Sequence, residues 1–386
     1  MRPVGSLRLG DHLKRLREER KLTLGGVETL SAGVGERINK SYLFRVERGK
    51  TLPTLSRLQV LSQVYRVKLV ALVEALETSF EEQRHEAAPG FDLTGVGFEE
   101  LRQRGIDAVK SGEFSRAALI FRSALERAHS EESSPERAVH LATARHDLSI
   151  ALRNAGRLDL AREEAEAALE LANTESPLAD KIRLNLAAVY RKSNRAALAR
   201  EVLAGLLARP DEVPKGVLAA AHHEMGAILV RVNAKQAAGH YRSALKIERQ
   251  LRNRFEECKL LLGLGIAESS GGNFNRAVKT LMLGREMAQR YEFSYWHSMI
   301  QTELAKTLYL MGDRNGAHSA LLEANVAARR GDYYYQLFMN HYYQRRIASD
   351  AGDDAAAKRL ESSLRFFATR VQGPFDELEA WKAERL

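Results

Sequence analysis

Apolar residues recur every three or four positions along nearly the whole chain, and this spacing predicts helix after helix. Leu9, Leu13 and Leu16 mark a first helix over about residues 7–20. Thr23 is placed to cap a second, and Ala32-Gly33-Val34-Gly35 reads as a break. Asn39 caps a helix over residues 40–48 that stops at Gly49. Pro53-Thr54 opens a fourth, with Leu55, Leu58, Leu61 and Tyr65 as its apolar residues. A fifth, short helix holds Leu69, Leu72, Val73 and Leu76. A joint is then expected over residues 78–97, where Glu81-Glu82, Pro89-Gly90, Gly95 and Gly97 interrupt the periodicity.

Beyond the joint the chain repeats itself. A turn residue followed five positions later by Ala recurs as Gly112/Ala117, Gly156/Ala161, Asn194/Ala199, Asn233/Ala238, Gly272/Ala277, Gly312/Ala317 and Gly352/Ala357. Seven residues before each turn stands Gly105, Ser149, Ala187, Gly226, Gly265, Ala305 or Arg345, small in every unit but the last. Small residues let two helices of a unit approach closely, and Gly or Asn tolerates the left-handed backbone that reverses the chain. After Arg370, Gly373-Pro374 breaks the pattern, and Phe375, Leu378 and Trp381 predict an amphipathic terminal helix that caps the array.

Composition supports helix throughout: aromatics are 7% and proline only 8 of 386 residues, while 45% of the chain is apolar. The single Cys258 excludes a disulfide framework. No apolar run reaches the length of a membrane span, residues 1–10 lack the apolar stretch of a secretory signal, and the expected location is the cytoplasm. Charge is uneven. Residues 1–80 carry fifteen Lys and Arg against eight Asp and Glu, hence +7 of the chain's +9. A compact basic head on a nearly neutral body suits a polyanion, because Lys and Arg gain affinity by releasing counterions from phosphates.

The wording of residues 7–77 resembles the phage-repressor (Cro/XRE) helix-turn-helix, most specifically in Ser41-Tyr42-Leu43-Phe44-Arg45-Val46-Glu47-Arg48-Gly49-Lys50 followed by Pro53 and Leu55. The resemblance implies that this helix lies in the major groove of double-stranded DNA. Asn39, Lys40, Ser41 and Arg45 are then candidates to read bases or flanking phosphates. Tyr42 packs or touches a phosphate, and Lys50 joins the DNA-binding set. Leu43 and Val46 belong to the core, and the resemblance pairs Glu47 with an arginine of the first helix such as Arg17. Leu24 stands where the family has Gln, and Gly25-Gly26 weakens the second helix by roughly 1 kcal/mol per glycine.

Gly112-Glu113-Phe114-Ser115-Arg116-Ala117 and Gly272-Asn273-Phe274-Asn275-Arg276-Ala277 resemble the tetratricopeptide repeat, with a period longer than that family's. The resemblance implies a right-handed α-solenoid of about seven helical hairpins whose first helices line a concave face. Positions three before, one after and four after each small residue share that face. Its polar and aromatic members are Arg102, His146, Arg153, Arg191, His223, Lys306, Tyr309, Tyr342 and Arg346, with Thr302 among the others and no Asp or Glu. Such a face fits an extended peptide bearing carboxylates.

Candidate chemistry of other kinds is thin. There is no GxxxxGK[ST] loop and no HExxH; Gly263-Leu264-Gly265 lies within a helix and reads as packing. His222-His223-Glu224 places adjacent histidines on different faces, which argues against a metal. Cys258 reads as a buried hydrophobe, and the Tyr333–Tyr335 and Tyr342–Tyr343 clusters as core and interface.

The expectation is therefore an all-α chain with a helix-turn-helix domain over residues 1–77, a linker over 78–97, a repeat sensor over 98–370 and a capping helix over 371–386. The combination resembles the peptide-sensing regulators of bacterial quorum sensing (the RRNPP group). It implies a DNA-binding transcriptional regulator, not an enzyme, without cofactor, metal or membrane. Its repeats would bind a peptide or protein and mediate a homodimer. The competing expectation is a repeat scaffold whose head binds protein or is vestigial.

Overall fold

The computed structural model describes residues 7–86, 93, 95–371 and 375–385. Among these, the regular structure is entirely helical. Five helices build the head: α1 (Leu7–Glu19), α2 (Leu24–Val34), α3 (Lys40–Glu47), α4 (Leu55–Val64) and α5 (Leu69–Glu86). Seven pairs follow: α6 (Phe98–Lys110) with α7 (Phe114–Ser130), α8 (Pro135–Asn154) with α9 (Leu158–Leu171), and α10 (Pro177–Lys192) with α11 (Ala196–Leu207). Then come α12 (Lys215–Leu229) with α13 (Ala234–Leu251), α14 (Arg254–Ser270) with α15 (Phe274–Arg290), and α16 (Ser294–Met311) with α17 (Arg314–Arg330). The last pair is α18 (Tyr334–Asp350) with α19 (Asp354–Ala368), followed by α20 (Asp376–Ala383). The chain forms two compact units, Met1–Ala199 and Arg200–Leu386, so the head shares a unit with the first repeats.

In the head, Leu9, Leu13, Leu16, Val27, Leu43, Val46, Leu58, Leu61, Tyr65 and Leu72 all turn inward into one core. Gly10 sets how closely α1 crosses α3: a Cβ there would lie 2.5 Å from the carbonyl oxygens of Val46 and Glu47. Across this crossing Arg17 Nε and Nη2 donate to the two carboxylate oxygens of Glu47 at 2.7 and 2.8 Å. The pairing implied for Glu47 is thus present, in the bidentate form that suits a guanidinium.

Two readings of the head change. Ala32–Gly35 is not a break before α3 but the end of α2, which Gly35 closes at φ 147°. Thr23 starts α2 by accepting from Gly26 N–H at 3.0 Å, and burial of Val27 and Ser31 carries it through its glycines. Leu55 opens α4 facing outward, 64% exposed. The fifth helix is not short: α5 runs eighteen residues to Glu86, into the expected joint. Pro89-Gly90 and Gly373-Pro374 lie outside the described residues.

In the repeats, Ala117, Ala161, Ala277 and Ala317 are completely buried. A Cβ at Gly265 would strike Leu281 at 2.5 Å, so α14 and α15 need the missing methyl to touch. Ser149 serves differently: its hydroxyl donates to the Ala161 carbonyl at 2.6 Å and accepts from Asn185 Nδ2 at 2.8 Å, which ties α8 to α9 and α10. Asn194 takes the left-handed turn at φ 58°, but Asn233 does not. With φ −149°, Asn233 instead caps α13 by accepting from Gln236 N–H. Ser134-Pro135 and Ser176-Pro177 start α8 and α10, each serine capping and each proline supplying the first helical residue. In the second unit α20 buries Leu378 and Trp381 against the last pair, with Trp381 Nε1 donating to Glu361 at 3.1 Å.

Candidate nucleic-acid interface and repeat face

The start of α3 is held by two acceptors. Asn39 Oδ1 accepts from Ser41 N–H at 2.7 Å, and Glu28 Oε2 of α2 accepts from Lys40 N–H at 3.3 Å. Glu28 also takes Arg37 Nη2 at 2.9 Å, and the Lys40 amide beside it holds its carboxyl below the usual range. With its start fixed, α3 buries Leu43 and Val46 and leaves Lys40, Ser41, Phe44, Arg45 and Arg48 exposed, as is Lys50 just beyond. Positions 41, 44, 45 and 48 form one outward stripe of a single helix face. Arg45 and Lys50 meet no carboxylate among the described residues.

Tyr42 does not join that stripe. It is half-buried, its hydroxyl 3.4 Å from the Leu52 carbonyl and its ring beneath the Arg57 guanidinium at 4.3 Å. Arg57 is in turn fixed by Glu36 at 2.6 Å. The structure thus makes Tyr42 a strut for α3. Phe44, 46% exposed in mid-stripe under Arg48, is a residue that sequence reasoning passed over. An outward phenyl on a reading helix can contact a thymine methyl, and its only signal in the sequence is an aromatic out of phase with the buried set.

The back of the head is tied to the repeats of its own unit by charges that the sequence reading did not single out. Arg15 of α1 donates to Glu163 at 3.1 Å and to Glu164 at 3.0 Å, both on α9. Glu164 also accepts from Arg145 at 2.6 Å. Burial alone would raise the Glu164 carboxyl, but Arg15, Arg145 and Arg122 outweigh it and hold it low. Glu163 has fewer cations, and burial pushes it up to about 7. His12 lies in the same cluster, lowered to about 3 by burial and by Arg15. A second tie joins Arg157 to Glu77 of α5 at 2.5 Å. A cavity of ≈ 540 Å³ opens beside the cluster, reached by Arg20, Arg66, Lys68 and Arg162.

The candidate residues of the repeat face fall into two groups. In the first unit, Arg102 Nε donates to Asp147 at 2.8 Å and Nη1 to Glu99 at 3.3 Å, so a carboxylate stands on a face expected to have none. Arg153 and Arg191 are half-buried. His146 is buried, and burial with the nearby Arg153 lowers it to about 4. Its folded value lies below its ordinary 6.5, so the stability tied to it is complete above pH 6.5 and drains as pH falls toward 4. The expected loss is about 1.4 kcal/mol per pH unit in that window. Urea titrations from pH 7 to 5 should show the loss in wild type and a flatter profile in His146→Gln.

In the second unit, His223 packs on Tyr241 with ring centroids 5.8 Å apart. Tyr309 donates to Asp350 at 3.0 Å, and Arg346 donates to the hydroxyls of Tyr309 at 3.2 Å and Tyr342 at 3.1 Å. Lys306 meets Glu377 of α20 at 2.6 Å. Three residues of this unit assigned to an open face are buried: Tyr342 and Thr302 are each 2% exposed and Tyr309 7%. The phase of one helix cannot register that a neighbouring helix covers it, and Tyr309 and Tyr342 share one core cluster with Leu378 and Trp381 of α20. Carboxylates Asp350 and Glu377 likewise come from positions outside the helical phase used to choose the face.

Other candidate chemistry resolves into packing. Cys258 is buried, its thiol directed at the Gly284 carbonyl and pushed up to about 11 by burial. His222 faces His240 with Nδ1 atoms 2.9 Å apart, and burial lowers both rings. Among the described residues no group of three His, Cys, Asp or Glu is arranged to hold a metal. None of the described helices is long and apolar enough to cross a membrane.

The helix-turn-helix family matches residues 13–82. No curated protein matches the chain. Among solved structures, the apo form of RapI superposes with a TM-score of 0.55 at 16% identity, covering 71% of this chain and 99% of its own. A Rap protein complexed with Competence and Sporulation Factor gives 0.55 at 14%, covering 94% and 98%. The tetratricopeptide repeat sensor protein PH0952 of Pyrococcus horikoshii, a signal transduction ATPase, gives 0.55 at 14%, covering 96% of this chain and 67% of its own. The likeness to these structures is one of fold. The head carries a helix-turn-helix domain of the Cro/XRE type, and the helices behind it are tetratricopeptide-like repeats.

Proposed function

We propose that the chain is a sequence-specific DNA-binding transcriptional regulator of the cytoplasm, acting as a homodimer, whose repeats take a peptide or protein signal. The observation that carries this reading is the outward stripe of α3. Ser41, Phe44, Arg45 and Arg48 stand clear of the core, flanked by Lys40 and Lys50, on a helix whose start is capped by Asn39 and Glu28. Arg and Lys reach guanine edges or phosphates, Ser and Asn bond to bases, and Phe meets a thymine methyl. A dimer supplies the paired half-sites that one short reading helix needs for specificity. The ties from Arg15 to α9 and from Arg157 to α5 offer a route by which the repeats bias the head.

The test is selection of bound duplexes from a random pool, followed by gel shift on the recovered site. The reading expects an enriched two-fold-symmetric sequence and a stoichiometry of two chains per duplex. Recovery of no sequence above background would favour the scaffold reading, in which the head binds protein.

A further inference from the structure

The first residues of α20 dock one after another into separate features of the second unit. Phe375 is extended, with φ −148° and ψ 158°, and packs edge-on against Tyr335 and Phe338 with centroids 4.9 and 5.4 Å away. Asp376 meets Arg231 at 3.2 Å, an exposed pair of little energetic weight. Glu377 is the firm contact. Its Oε1 accepts from Lys306 Nζ at 2.6 Å and from Tyr343 Oη at 3.0 Å, with Glu377 12% and Lys306 27% exposed. An aromatic followed by two acids, each with its own partner on α16, on α18 or just after α12, is how a peptide segment is read by a repeat surface.

We propose that Lys306 and Tyr343, with the ring of Tyr335 beside them, form a subsite for an acidic peptide carrying an aromatic residue before its carboxylate, and that Phe375-Asp376-Glu377 fills this subsite in cis. The proposal rests on the reading that the repeats take a peptide, and it names the chemistry of that peptide.

The surroundings suit exchange of one carboxylate for another. Glu303 is buried on α16 near the same ammonium. Burial raises the Glu303 carboxyl, with Lys306 opposing and Glu377 adding to the rise. Burial thus disfavours charge on Glu303, and Glu377, which Lys306 holds below its usual range, is the carboxylate bonded to this ammonium. A segment tethered to its own site competes at an effective concentration in about the millimolar range, so an incoming peptide binds weakly until the segment is disabled.

The test uses the full-length chain and a fluorescein-labelled synthetic peptide with the sequence Phe-Asp-Glu-Leu, that of residues 375–378. Anisotropy should show at least tenfold tighter binding to Glu377→Gln than to wild type. Adding Lys306→Met to Glu377→Gln should abolish the gain, and a Phe-Asp-Gln-Leu peptide should not bind. Hydrogen exchange on wild type, which needs no variant to fold, should show amides 376–383 losing protection at saturating peptide. Equal affinity of wild type and Glu377→Gln, retention of binding by the Lys306→Met double variant, or unchanged exchange in α20 would each overturn the proposal. Gel shift on the same preparations separates the two claims. DNA binding together with any of those failures removes the subsite and keeps the regulator, whereas loss of DNA binding by wild type removes the regulator.

Discussion

Replacing Lys40 and Arg45 together with alanine is expected to lower affinity for the selected duplex by roughly 100-fold or more. Each such contact to a base edge or phosphate is worth about 1–3 kcal/mol, and the two are independent enough to add. Both side chains are exposed. The cap from Asn39 Oδ1 to Ser41 N–H uses neither, and Glu28 holds residue 40 through its backbone. The variant should therefore keep its helicity and thermal midpoint while losing DNA. Anisotropy titrations at several salt concentrations give a second readout: the slope of log affinity against log salt should become shallower by about 2. An unchanged affinity and slope would show that DNA, if bound, is met by another surface.

Glu47→Ala is expected to destabilise the head by about 3–5 kcal/mol, since it leaves the Arg17 guanidinium buried without its carboxylate. Arg17 is 12% and Glu47 5% exposed at the side chain, and the pair bridges α1 to α3 where Gly10 brings the backbones together. Arg17 would keep Nη1 on the Leu22 carbonyl at 3.1 Å and Nη2 3.7 Å from the exposed Glu18 carboxylate. Chemical denaturation followed by circular dichroism should show an early transition for the helices of the head. Glu47→Met combined with Arg17→Met should recover most of the loss, because removing both charges leaves nothing unpaired. If Glu47→Ala melts like wild type, the pair contributes no more than a surface contact.

The head was legible in the sequence wherever one helix's own periodicity or a cap decided the outcome. Thr23 and Asn39 cap where they were expected to, Thr54 caps the helix that Pro53-Thr54 was expected to open, and Leu43 and Val46 are buried. The repeat was legible because close helix contact demands a small residue at a fixed phase, as Gly265 against Leu281 illustrates. What stayed hidden depends on partners distant in the chain. Arg15 finds Glu163 and Glu164 across nearly 150 positions, and nothing in the local pattern of either stretch marks the pairing. Lys306 looked like an open-face cation because helical phase sees one helix at a time, while its partner Glu377 arrives from the last helix. Asn233 failed as a turn residue because Asn can either enter the left-handed region or cap, and here it caps.

The central claim is that α3 enters the major groove, and site-specific photocrosslinking tests it most directly. A benzophenone side chain placed at Ser41, at the exposed start of α3, should crosslink to bases within the selected site. The same group at Val232, which is 81% exposed in the repeats, should not. Crosslinks from position 232 with none from position 41 would contradict the account.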